Sequence, residues 1–258
     1  MTHSLEVLYE VAAAWLKRSL RAVVISVMRD GHLHLELSST AGGRRYFGLL
    51  PASGGTPHDV QASKLKVRAK AVIDELATLT DPPAALLEQI HFLTSRRINW
   101  PPGVLYPSER AALRIGADGA SQQLTAESPR VLTIGLVFTR TLLQRLLLQP
   151  RQAMLAPKTT PRGMANLRMI AAMLYVLGKA VPLLPLRPEV RGQRLLAALR
   201  MDTEATKEFR GELERLQENG LPLLEEWLWE ATAVLYRWTQ SLLQASRRAA
   251  AVTARDED

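Results

Sequence analysis

The sequence predicts an α+β fold that is predominantly helical, with an N-terminal helix and β-hairpin units followed by an all-helical C-terminal bundle. Three observations lead to this prediction. Apolar residues recur at helical spacing through residues 4–20, and an Asp-Gly pair at positions 30 and 31 separates two runs with strand-like composition. From Pro161 onward, the apolar pattern is helical almost to the C-terminus.

The N-terminal third contains the clearest hairpin signal. The run AVVISVM at 22–28 is rich in β-branched residues, and HLHLELS at 32–38 alternates leucine with polar side chains. Asp-Gly between two such runs is typical of a tight hairpin turn, so we predict a hairpin over 22–38. GGRRYFGLLP then predicts a third strand at 44–50.

The middle of the chain predicts both element types. Helices are expected at 59–79 and 82–97, and a weaker second hairpin is expected at 111–126. The segment 131–149 begins with a strand-like run, VLTIGLVF, and continues with a helix-like run, TRTLLQRLLLQ. We therefore predict a strand followed by a helix there.

Four helices are predicted after the middle segment, at 161–180, 189–201, 203–219 and 222–249. The elements divide the chain into an α+β part, 1–150, and a helical part, 151–258. No flexible linker separates the two parts, so the sequence leaves open whether they form one domain or two.

The composition excludes cysteine-based sites, and the charged residues are unevenly distributed along the chain. The 258 residues include no cysteine, which excludes disulfides, thiolate zinc sites and iron–sulfur clusters. The formal net charge is +8, but residues 128–201, which we call the basic segment, hold 12 basic residues and 1 acidic residue. Residues 202–258, which we call the acidic C-terminal segment, hold 12 acidic and 7 basic residues. Such segregation of charge indicates a polyanionic partner.

The expected location is the cytoplasm, with no membrane contact. The N-terminus lacks the pattern of a signal peptide, and arginines interrupt the most apolar stretch. The preference for arginine, with 26 Arg and 7 Lys, is typical of a GC-rich bacterial genome.

The basic segment predicts nucleic-acid binding, because phosphate backbones favour arginine and lysine with no carboxylates nearby. SKLKVRAK adds a second patch on helix 59–79, and GRRYFG places arginines beside aromatic rings on a predicted strand. The residues that we predict to contact nucleic acid are Arg140, Arg145, Arg151, Lys158, Arg162, Arg168, Lys179, Arg191, Arg194, Lys64, Lys66, Arg68, Lys70, Arg44 and Arg45. The competing interpretation is that these cations pair with the carboxylates of 202–258.

Two smaller features suggest other contacts. Trp229 lies off the apolar stripe of the last helix, so we predict that it contacts a protein partner. His32, His34 and Glu36 alternate on one face of the predicted strand, which is a pattern that metal ligands can have. The polar outer face of a hairpin is the favoured explanation for them, so no metal or cofactor is assigned.

The sequence therefore predicts a non-enzymatic nucleic-acid-binding protein, a subunit of a larger nucleoprotein assembly with other protein subunits. The alternative is a structural adaptor that docks on an acidic protein partner. A metal-dependent enzyme that uses His32 and His34 is the least favoured hypothesis, since no catalytic motif is present in the sequence.

Overall fold

The computed structural model describes residues 2–37, 57–95, 98, 100, 103–114 and 127–256. Throughout these ranges the regular structure is helical, and none of the described residues forms a strand or a sheet. The predicted α+β class is therefore wrong. The predicted third strand at 44–50 and most of the predicted hairpin at 111–126 lie outside the described residues, and residues 111–114 complete a helix and a turn.

Helix α1, Thr2–Arg29, confirms the predicted N-terminal helix but includes the predicted strand 22–28. Leu20, Val24, Val27 and Met28 are all buried, and their spacing of three and four residues continues the apolar stripe of the preceding turns. The β-branched composition misled the prediction. Helix propensities of single residues differ by only about 0.7 kcal/mol, so burial of a continuous stripe outweighs them.

Residues 31–37 show the predicted alternation without the predicted hairpin. Leu33, Leu35 and Leu37 are buried, but the side chain of Asn166 takes the place of a partner strand. Asn166 accepts a hydrogen bond from the Leu35 N–H at 3.0 Å and donates one to the Leu33 carbonyl at 2.9 Å. Asp30 ends α1 by accepting from the N–H groups of His32 and Leu33, so Asp-Gly forms a helix-ending turn.

The remaining α-helices follow the sequence closely wherever the apolar period was clear. They are α2 Pro57–Thr78, α3 Ala84–Ser95, α4 Pro107–Ala112, α5 Ser128–Thr133, α6 Pro161–Ala180, α7 Pro188–Met201, α8 Arg210–Arg215 and α9 Leu221–Asp256. Short 3₁₀ turns at Val181–Leu183 and Lys207–Phe209 and a π-helical segment at Leu216–Gly220 join the later helices. The start of α6 is confirmed, since Thr160 caps it by accepting from the Gly163 N–H at 3.0 Å.

A long π-helix, Ile134–Leu147, continues directly from α5. Together they replace the strand predicted at 131–138, and the π-helix covers most of the helix predicted after it. Its hydrogen bonds span five residues, as when the Leu148 N–H donates to the Leu143 carbonyl at 3.0 Å. Residues 130–143 are buried without interruption. A run that is apolar on all sides fits a buried helix as well as a buried strand, so composition did not distinguish them.

Helix α6 lies at the centre of one hydrophobic core that draws side chains from both sides of residue 150. Helices α1 and α2 and the π-helix pack around it, and α9 packs against α2, α3 and α6. The segment Pro161–Leu183 is long and apolar enough to cross a bilayer by length and composition, but 83% of its apolar window is buried in the protein. That burial is expected of a central core helix.

Candidate functional site

Four charged side chains meet in the interior, and we call them the buried charge network: Glu109, Arg140, Lys179 and Asp202. They come from α4, the π-helix, α6 and the end of α7, and each is at most 7% exposed. Arg140 Nη2 lies 2.7 Å from Glu109 Oε2. Lys179 Nζ lies 2.8 Å from Asp202 Oδ2 and 3.4 Å from Glu109 Oε1, so the lysine joins the two carboxylates. The two positive charges of Arg140 and Lys179 therefore balance the two negative charges of Glu109 and Asp202.

Neutral side chains and backbone groups form the other hydrogen bonds of the network. Asp202 accepts from the Ser108 N–H at 2.8 Å, from the Ser108 hydroxyl at 2.5 Å and from the Tyr175 hydroxyl at 2.7 Å. The Arg140 guanidinium lies 4.0 Å from the centroid of the Tyr106 ring and also donates to the Gly135 carbonyl at 2.7 Å. Buried charges are tolerated when they are paired and hydrogen-bonded in this way.

The charges shift the pKa values of the acids in the direction that keeps them ionised. Burial alone raises the pKa of the Glu109 carboxyl, but Lys179 and Arg140 outweigh it and hold that pKa below its usual range. The pKa of Asp202 is lowered in the same way, by Lys179 and the hydrogen bonds of Ser108 acting against burial. Burial, with the neighbouring Asp202 carboxylate, raises the pKa of Tyr175 well above its usual value, so its hydroxyl stays a donor.

Two glycines make room for the network. A Cβ atom at Gly135 would lie 2.7 Å from Glu109 Oε1, and one at Gly178 would lie 3.2 Å from the Phe138 ring. The small residues therefore let the π-helix and α6 approach closely enough for Arg140 and Lys179 to share Glu109. A cavity of about 60 Å³ borders both glycines, and it is large enough for ordered water but not for a substrate of ordinary size.

The chemistry of this cluster favours a structural role. The Ser108 hydroxyl lies 2.9 Å from Lys179 Nζ, a distance that a serine nucleophile and a lysine base would require. The serine hydroxyl, however, donates to Asp202 Oδ2 at 2.5 Å, while Lys179 donates to the serine oxygen and contacts the carboxylates of Asp202 and Glu109. The serine hydroxyl is therefore directed at a carboxylate and not at the lysine that a base role would require.

The structure corrects two of the predicted contact residues. Arg140 and Lys179 were expected to face outward, but their side chains are only 8% exposed and neutralise internal carboxylates. A signal for Lys179 was present in the sequence. It is the sole charged residue in MIAAMLYVLGKAV, 169–181, a run too uniformly apolar for a solvated helix face. The roles of Ser108, Glu109, Tyr175 and Asp202 were not predicted, because these residues meet only through the tertiary fold.

The other cations of the basic segment are largely exposed. Eight have solvent-exposed side chains and form no ion pair within the described chain: Arg145, Arg151, Lys158, Arg162, Arg168, Arg187, Arg194 and Arg200. Arg145 lies over the Tyr9 ring, and Arg191 is half-buried with hydrogen bonds to the Leu184 and Leu186 carbonyls. Among described residues, Lys179–Asp202 is the only ion pair between the basic segment and the acidic C-terminal segment.

A cationic groove, defined by Asp30, His32, Leu33, Ser63, Lys64, Val67 and Arg68, runs between α2 and the end of α1. Its volume is about 560 Å³. Arg162 borders it, because its guanidinium donates to the Gly31 carbonyl. Arg68 pairs with Asp30 at 3.0 Å, whereas Lys64 is exposed and has no ion-pair partner in the described structure. One cation of the basic segment, Arg162, therefore lies beside the basic patch of α2.

The remaining predicted residues have varied surroundings. Lys66 and Lys70 are exposed on α2, where Lys70 pairs with Asp74, while Arg44 and Arg45 lie outside the described residues. Trp229 is half-buried against the core, with the Arg191 guanidinium 5.5 Å from its ring centroid, and its contact with a partner stays a prediction.

The histidine pattern does not form a metal site in the described part of the chain. Residues 31–37 are irregular, and His34 contacts Glu36 at 3.9 Å while Glu36 also pairs with Arg215. No group of three or more potential metal ligands converges among the residues that the structure describes.

Comparison with known proteins identifies no relative: no family model, no curated protein and no solved structure matches this chain.

Proposed function

We propose that this protein binds nucleic acid without catalysing a reaction on it, as one subunit of a larger nucleoprotein assembly. One observation carries the proposal: eight exposed cations of the basic segment form no ion pair with any described carboxylate, although the chain supplies an acidic segment directly after them. Internal neutralisation was the main competing explanation for the basic segment. In the described structure only one pair, Lys179–Asp202, joins the basic segment to the acidic C-terminal segment, while Arg130 and Arg140 pair with Glu127 and Glu109.

The cationic groove is the favoured contact surface. Lys64 from α2 and Arg162 from the start of α6 approach the same turn, residues 30–33, from different elements. Both are attached to helices, so no backbone segment has to become ordered when a phosphate binds, and the Arg162 guanidinium is already held by the Gly31 carbonyl. Val67 lines the same groove, is 63% exposed and offers an apolar contact for a sugar or a base.

The physics of phosphate binding suits cations that lack internal partners. A nucleic-acid backbone releases condensed counterions when lysine or arginine neutralises its phosphates, and a carboxylate beside the cation would reduce that gain. The eight exposed cations are spread over the π-helix, the connection 148–160, α6, and α7 with the residue before it, and Lys64 and Lys66 are exposed on α2. Such a distribution fits contact along a backbone, which positions a protein without reading sequence.

The test is binding of labelled single- and double-stranded DNA and RNA over a salt series. Affinity should fall linearly in log salt, with a slope of about 0.7–0.9 for each phosphate neutralised. The double variant Lys64→Glu/Arg162→Glu should lower affinity by about tenfold or more for every sequence and reduce the slope by roughly 1.5. The matched control is Lys207→Glu/Arg247→Glu, which makes the same charge change at exposed positions of the acidic segment.

The outcomes separate the hypotheses. If the wild-type protein binds none of the four nucleic acids at low salt, the proposal fails and the adaptor for an acidic protein becomes the favoured function. If the two double variants weaken binding equally, the effect is one of net charge and the cationic groove is not the contact surface. Circular dichroism of each variant verifies that the helices are intact.

A further inference from the structure

A second groove lies between α9 and the connector that joins α2 to α3, and we call it the connector groove. Its volume is about 480 Å³, which is within the range of small-molecule sites. Apolar side chains supply most of its lining, among them Leu79, Pro82, Val234 and Leu242. It shares no lining residue with the cationic groove, so it is a separate feature.

The polar groups of the connector groove are positively charged or neutral. Arg237, Ser241 and Arg248 line it on one face of α9, and no Asp or Glu is among its lining residues. Both arginines are exposed, and neither forms an ion pair in the part of the chain that the structure describes. Arg237 and Ser241 are one helical turn apart, whereas Arg248 lies about 16 Å from Arg237 along the axis of α9.

The indole of Trp238 forms part of the groove wall and is held in place by its neighbours. It stacks on Trp15 with ring centroids 6.4 Å apart and planes 8° from parallel, and Trp15 itself donates to the Thr80 carbonyl at 3.2 Å. Trp238 is 7% exposed, and its buried N–H has no hydrogen-bond partner among the described residues. An orphan donor of this kind in an apolar wall is unusual in a folded protein.

We propose that the connector groove binds a small amphipathic anion, such as an acyl carboxylate. Its apolar body would lie along Leu79, Leu242 and the Trp238 ring, where burial of apolar surface supplies affinity. Its acid group would pair with the Arg237 guanidinium, which lines the groove, is exposed and has no ion-pair partner among the described residues. The Trp238 N–H is buried in the wall and the Ser241 hydroxyl donates to the Arg237 carbonyl at 3.1 Å, so the arginine alone supplies the recognition of the acid. The inference does not depend on nucleic-acid binding.

The experiment uses the full chain and the fluorescent anion 1-anilinonaphthalene-8-sulfonate, with dodecanoate and dodecanol as competitors. We expect one binding site for the dye. Dodecanoate should displace the dye from it at concentrations at which dodecanol does not. Arg237→Gln should weaken dye and dodecanoate binding by about tenfold, the worth of a charge-assisted hydrogen bond. Arg247→Gln is the matched control, because Arg247 is exposed nearby on α9 but does not line the groove. Ala245→Phe should block the groove sterically.

Four results would overturn the inference. Dodecanol could displace the dye as well as dodecanoate, which would exclude recognition of the acid group. Arg237→Gln and Arg247→Gln could behave alike, or Ala245→Phe could bind like the wild type, which would place the dye elsewhere. Excess single-stranded DNA could displace the dye, which would make the groove part of a nucleic-acid surface. Helical circular dichroism confirms that each variant is folded before its binding is compared.

Discussion

Replacing Lys179 by Met tests the role of the buried charge network most directly. Lys179 Nζ lies 2.8 Å from Asp202 and 3.4 Å from Glu109, and its side chain is 8% exposed. At an effective dielectric constant of about 20, these two contacts correspond to gross attractions of about 6 and 5 kcal/mol. Desolvation of the three groups offsets much of that sum, and removal of one partner from a buried pair generally costs about 3–5 kcal/mol.

The expected loss is therefore about 3–5 kcal/mol in the free energy of unfolding, because Asp202 would remain buried without its cation. In a chain of this size, that loss corresponds to a decrease in Tm of roughly 6–20 °C. The assay is urea denaturation followed by tryptophan fluorescence and far-ultraviolet circular dichroism. Lys207→Met is the control, since Lys207 is exposed and should change stability by no more than about 0.5 kcal/mol.

The double variant Lys179→Met/Asp202→Asn distinguishes charge pairing from loss of packing. It removes one cation and one anion together, so it should be less destabilised than the sum of the two single variants by about 1–3 kcal/mol. Two results would refute the reasoning: a loss below about 1 kcal/mol for Lys179→Met, or additive effects of the two substitutions.

Two further predictions concern acid stability and the segment 31–37. The Glu109 and Asp202 carboxyls have lowered pKa values in the folded state. Their contribution to the free energy of unfolding is therefore complete above their ordinary pKa values of 4.5 and 3.8, and it is lost as the pH falls through their folded-state pKa values. Because Lys179 helps to lower both, Lys179→Met should shift acid unfolding to higher pH, and an unchanged midpoint would contradict this. Asn166→Ala should cost roughly 2–4 kcal/mol in urea denaturation, since it leaves a buried N–H and a buried carbonyl of 31–37 without partners. Gln193→Ala, at an exposed site on α7, should be nearly neutral, and equal losses would show that Asn166 does not hold the segment.

Sequence reasoning succeeded where one apolar face was clearly separated from a polar face. Helix α6 begins at Pro161 and ends at Ala180 as predicted, because its cap residue, its proline and its apolar period agree. The predictions were wrong at 22–28 and 131–138, where a β-branched or uniformly apolar composition was interpreted as a strand. Those residues are buried on helices, and local propensity is too weak to oppose that burial.

The sequence by itself determined most helix positions, the alternation of the leucines in 31–37 and the segregation of charge between the basic segment and the acidic C-terminal segment. These properties follow from local periodicity and from counting, which need no knowledge of neighbours. Only the tertiary structure decided that Asn166 replaces a partner strand, that Arg140 and Lys179 are internal, and that Lys64 and Arg162 border one groove. Each of these depends on contacts between residues far apart in the chain, and a side chain's exposure or pairing is set by what the fold places beside it.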